Sequence, residues 1–146
     1  MIVVAGGVVF RAAAFTPQTA TSAVIVNSGS TNTAGFRIVV ATSGNAEYMQ
    51  SIRHPQPEVD KAAGQPATRK ISDKLVQRLF SDLKKAEPLS SLPTQRCFKS
   101  VSFGTRLTIE FGGEETPDLS CPGQQDPRAQ NLQRDANEIV KMFRKN

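Results

Sequence analysis

Apolar and polar residues alternate through 101–111. Val101, Phe103, Thr105, Leu107, Ile109 and Phe111 fall on one face, and Ser102, Gly104, Arg106, Thr108 and Glu110 on the other. A period of two predicts half-buried β structure, not a helix. A two-residue turn at Gly104-Thr105 would pair Phe103 with Arg106 and send the two apolar rows to opposite faces, which a one-sided core forbids. A three-residue loop, Gly104 to Arg106, pairs Phe103 with Leu107 and Val101 with Ile109 on one face. A single long strand bent at Gly104 also keeps the parity. The stretch lies between the two cysteines, Cys97 and Cys121. A disulfide needs Cα atoms within about 7 Å, while a straight strand advances ~3.3 Å per residue. If the cysteines are bonded the chain must turn back, so a hairpin or a sharp bend is expected.

The remaining pattern supplies the other elements. Residues 22–27 and 36–41, rich in Val and Ile, read as strands. A turn at Ser43-Gly44-Asn45 pairs Val40 with Tyr48 and Phe36 with Ile52, adding a third strand over 46–52 and making a meander. Residues 53–69 carry Pro55, Pro57, Gly64 and Pro66 and read as a flexible, exposed loop. Leu75, Val76, Leu79, Phe80 and Leu83 make the stripe of a helix over 70–86, with Ser72 as cap and Ile71 against Val76 as a staple. Pro88 stops it. Asp126-Pro127 opens a second helix whose buried stripe is Leu132, Ala136, Ile139, Val140 and Phe143, leaving Arg134 to solvent. Strands, helix, strands, helix argue for an α+β fold: one antiparallel sheet, a meander plus a central hairpin or bent strand, with two amphipathic helices on one face. That order resembles the shape of small bacterial proteinase inhibitors. No motif accompanies the likeness, so it transfers no residue roles.

The N-terminal segment leaves two readings open. MIVVAGGVVF followed by Ala12-Ala13-Ala14 resembles the apolar and cleavage regions of a secretory signal, but no Lys or Arg precedes Arg11. Alternatively residues 1–21 hold an N-terminal strand broken at Gly6-Gly7. Residues 22–146 then form the single α+β domain. At 146 residues the chain can bury a core without staples. Two cysteines without a CxxC point to one disulfide, the alternative being unlinked thiols in a cytosolic protein. Together these features lead us to expect export, as a secreted or envelope (periplasmic) protein of bacterial type. The formal charge of +5 and pI near 9.6 imply weak affinity for anionic polymers or surfaces. The cations are dispersed and no nucleic-acid-binding motif is present, so nucleic acid is not the expected partner. No run reaches the roughly 18 apolar residues of a membrane-spanning helix.

Catalytic patterns are thin. Ser81-Asp82-Leu83-Lys84 matches S-x-x-K, yet it falls inside a helix and lacks the companion S-D-N and K-T-G motifs. His54, the lone histidine, sits between Arg53 and Pro55 in a loop. Glu110, Glu114, Glu115 and Asp118 gather near one turn without calcium-loop spacing. No metal or cofactor is implied. The loop from Asn27 to Gly35 is almost wholly small and polar, and Ser28, Ser30, Thr31, Asn32 and Thr33 are its candidate contact residues, nothing in it needing burial. The expected function is a non-catalytic, exported binding domain that meets another protein or an envelope component, an inhibitor being one version. The alternatives are a structural subunit that oligomerises by N-terminal strand addition, and a small enzyme.

Overall fold

The computed structural model describes residues 21–51 and 66–144. The signal-like segment, His54 and most of the 53–69 loop lie outside the described residues. Six strands, β1 (Ser22–Asn27), β2 (Phe36–Ala41), β3 (Asn45–Gln50), β4 (Ala67–Lys70), β5 (Leu107–Phe111) and β6 (Glu114–Glu115), form one antiparallel sheet. Their spatial order is β4-β3-β2-β1-β5-β6. Helices α1 (Asp73–Ala86) and α2 (Pro127–Arg144) share a single apolar core with it. The architecture is the expected α+β.

Alternation decides which sheet face is dry. On β2, Phe36, Ile38 and Val40 are buried while Arg37 and Val39 are exposed. Ile25 of β1 lies opposite Ile38 on one side and Ile109 on the other, and all three are fully buried. Each such side chain contributes roughly 1.5–3 kcal/mol by leaving water. The β2–β3 hairpin keeps the expected parity in a register displaced by two residues. Val40 faces Ala46, Ile38 faces Tyr48 and Phe36 faces Gln50. The turn comes one residue earlier than anticipated because Gly44 takes its positive-φ position, φ 95°, with its N–H donating to Ala41 O at 2.9 Å. A shift of two preserves every face. Residues 67–69, expected in the loop, belong instead to edge strand β4, whose four side chains are all exposed. Backbone pairing to β3 holds it, and that leaves no hydrophobic pattern to read.

Ser72 caps α1, its Oγ accepting from Leu75 N–H at 3.3 Å. Asp73 in the first turn and Lys84 and Lys85 in the last complement the helix dipole. α1 starts three residues later than the pattern implied because Lys70 is committed to β4. Asp126 caps α2 by accepting from Arg128 N–H at 2.8 Å. The helical stripes end in aromatic contacts. Phe80 meets Phe111 edge-on at 5.8 Å, and Tyr48 stacks between Phe36 and Phe143 at 5.3 and 5.4 Å.

The central alternating stretch is corrected. Only its second half is a strand. β5 pairs with β1 from Glu110 opposite Val24 to Leu107 opposite Asn27, and there β1 ends. Val101 and Phe103, which were expected opposite Ile109 and Leu107, lie in an irregular turn and are 92% and 66% exposed. The partners of β5 are β1 and, through Gly112-Gly113, β6. The chain does turn back: Cys97 and Cys121 are joined by a disulfide with Cα atoms 5.6 Å apart.

Candidate functional site

Residues 93–106 contain no regular structure, yet side chains fasten them at several points. The disulfide anchors Cys97 to buried Cys121. Gln95 reaches the other way, its Nε2 donating to Pro122 O at 3.1 Å and Gly123 O at 2.9 Å. Lys99 folds inward. Its Nζ donates to Thr105 O at 2.9 Å, to Ser120 Oγ at 2.6 Å and to the Asp118 carboxylate. Those three bonds use every proton of the ammonium group. Asp118 also accepts from Leu107 N–H and Ser120 N–H at 3.0 and 2.9 Å. Burial works against its charge, but these hydrogen bonds outweigh it and hold the carboxyl below its usual range. The turn closes through Gly104 N–H to Ser100 O at 2.7 Å. A Cβ at Gly104 would meet that oxygen at 2.4 Å, so this close approach requires glycine.

The polar loop between β1 and β2 packs on this one. Ser30 Oγ donates to Ser102 O at 2.7 Å, Asn32 N–H donates to the same oxygen at 3.0 Å, and Ser28 Oγ accepts from Arg106 N–H at 2.9 Å. Ser30 is buried, which corrects the expectation that nothing in the loop needs burial. Ser28, Thr31 and Asn32 remain exposed and Thr33 half-exposed. The structure therefore brings the candidate contact residues beside a second loop, part of which, 101–106, the alternation assigns to a hairpin or bent strand.

That second loop turns its apolar side chains outward. Phe98 is fully exposed and Val101 nearly so, with Phe103 beside them. Arg96, Cys97, Phe98 and Lys99 donate no backbone N–H to the backbone of any described residue. An open backbone beside a protruding ring can be gripped as an extended peptide. Behind the disulfide, Arg96, Lys99, Arg106, Pro117 and Asp118 help to line an open cleft of about 420 Å³. The loop's alternation hid it; the clue available in the sequence was the absence of any acidic residue from Pro88 to Ile109.

A second concentration of charge lies between the helices. Asp135 of α2 is fully buried and takes Arg78 Nε at 2.7 Å and Arg134 at 3.2 Å, all on Oδ1. Its Oδ2 has no hydrogen-bond partner among the described residues. Arg134, exposed as expected, also reaches Asp82 at 3.2 Å, and Arg78 reaches Glu138 at 2.8 Å. Burial, then the neighbouring Asp82, raise Asp135 to about 6 against the pull of Arg78 and Arg134. These groups are engaged chiefly with one another. Ser81 and Lys84 of the S-x-x-K match are both exposed on α1. Of the four acids near the β5–β6 turn, Glu110, Glu114 and Glu115 line one open pocket and Asp118 lies apart; Glu110 pairs with Arg37, Glu114 accepts from Leu89 N–H, and Asp118 holds Lys99. Among the described residues no group of three acids, histidines or cysteines is placed to hold a metal, and no helix is long and apolar enough to cross a membrane. No family model matches this chain, nor does any curated protein or solved structure.

Proposed function

We propose that this chain is a non-catalytic, exported binding domain that engages another protein through the composite loop surface formed by residues 28–33 and 95–106. One observation carries the reading: the side chains of Phe98, Val101 and Phe103 stand in water on a backbone fastened at both ends. Exposing three large apolar groups in a single loop costs solubility and adds nothing to the core, so binding is the use that accounts for them. Fastening the loop beforehand reduces the entropy lost when a partner closes on it. Export is supported by the disulfide, which is compatible with an oxidising compartment. An inhibitor of proteolytic enzymes is the sharpest version, since a backbone with open donors beside a projecting ring is what a protease cleft can grip. The alternative of strand addition is less favoured by the sheet's two edges. β4 is short and carries Arg69 and Lys70, and β6 is only Glu114-Glu115. The third alternative, a small enzyme, is less favoured because Lys99 in the open loop cleft is held by Asp118, Ser120 and Thr105 O rather than left free to act on a substrate.

The test is complex formation. The protein is incubated with a panel of proteases and with bacterial envelope extracts, and stable complexes are isolated by size. A complex formed by the native chain and lost with Phe98→Ala supports the reading; a complex indifferent to Phe98, or none across the panel, counts against it.

A further inference from the structure

The composite loop carries a charge pattern that its apolar residues alone do not explain. Three cations lie between Pro88 and Ile109 with no acid among them: Arg96, Lys99 and Arg106. Lys99 is neutralised by Asp118 from the neighbouring segment. Arg96 and Arg106 are exposed, line the same cleft and form no ion pair with any described residue. Among the described residues the one carboxylate in that cleft, Asp118, is taken by Lys99, and the planar forks of the two arginines suit a further carboxylate held by paired hydrogen bonds. Phe98 stands between Arg96 and the tip of the loop, fully in water.

We infer that the partner of this loop is a protein whose apolar pocket, filled by Phe98, is bordered by an acidic side chain that enters the Arg96–Arg106 cleft. This rests on the reading of the loop as a protein-binding surface and adds the chemistry of the partner. Cations flanking exposed apolar residues also describe a loop that dips into an anionic bilayer. Two features favour a protein here. The arginines line a recess shared with Pro117 and both cysteines, which a flat headgroup layer would leave unfilled. The backbone of residues 96–99 also offers open donors, which a partner backbone can satisfy.

The inference can be tested before a partner is known. A library of displayed random peptides is selected on the immobilised full chain, and selected peptides are then measured against Phe98→Ala and against the double variant Arg96→Gln, Arg106→Gln. The expected result is enrichment of Asp or Glu beside apolar residues. Affinity should fall about tenfold or more in the double variant and weaken as salt is raised. If binding is lost with Phe98→Ala but unchanged in the double variant, the acidic partner is overturned while the loop reading stands. If binding ignores both variants, the loop reading itself fails. Co-sedimentation of the chain with phosphatidylglycerol vesicles, abolished by Phe98→Ala, would overturn the inference in favour of a lipid surface.

Discussion

Residues 101–105 and residues 107–111 continue one alternating pattern and meet opposite fates. In β5, Leu107, Ile109 and Phe111 are buried to 6% exposure or less. A few residues earlier, Phe98, Val101 and Phe103 stand in solvent. Intrinsic preference does not separate them, since aromatic and β-branched residues occur in both. The difference is the neighbour. β1 runs beside β5 as far as Asn27 and then leaves through Ser28, so the earlier half meets isolated bonds from the 28–32 loop and no strand ladder. A strand is a statement about two chains of backbone, and alternation describes only one of them.

The largest test of this contrast is paired truncation. Ile109→Ala should cost ~2–5 kcal/mol, as for a buried aliphatic that leaves a cavity. Phe98→Ala and Val101→Ala should change stability by less than about 0.5 kcal/mol, as surface substitutions do. Urea unfolding of the three variants checks this, and a cost above about 2 kcal/mol at Val101 would return that half of the stretch to the sheet.

Reduction of the disulfide comes next. Cys97 and Cys121 enclose a 24-residue separation, for which the chain-entropy model gives about 3.5 kcal/mol. Against a typical total of ~5–15 kcal/mol the reduced protein should stay folded with a lower melting point. Proteolysis of the reduced form should begin in residues 98–103 while β5 stays protected; simultaneous loss of both would show that the two regions are not independent.

Protonation should act on the two regions with opposite signs. Asp135, in the helix layer above the sheet, is raised from 3.8 to about 6. The folded form therefore binds its proton more tightly than the unfolded chain does. That contribution is full below about 4 and is lost as pH rises through 6. Asp118, the clamp of the exposed loop, is lowered. Its contribution is present above the usual carboxylate range and is lost as acid titrates it below that range. Melting temperature should therefore rise on acidification from pH 7 toward 4, then fall. Asp135→Asn should abolish the rise, and Asp118→Asn should blunt the fall; a pH profile of melting for the three proteins decides it.

The smallest effect lies within the polar loop. Ser30→Ala should cost about 1 kcal/mol, the worth of one buried hydrogen bond to Ser102 O, whereas Thr31→Ala should cost almost nothing. Equal effects would mean that the two loops do not pack as one surface.

Read by itself, the sequence determined the class of fold, the meander, both helices with their caps at Ser72 and Asp126, and, on the condition that the two cysteines are joined, the return of the chain between them. Each of these follows from local physics: side-chain period, capping groups and covalent reach. Tertiary structure alone decided where β5 begins, that residues 67–70 are a strand, and that Arg134 and Asp135 meet Arg78 and Asp82 across two helices. It also decided that Ser30 is buried against Ser102 while Phe98 is not buried at all. These outcomes depend on which distant segment lies alongside, and a one-dimensional pattern of apolar and polar residues carries no record of that neighbour.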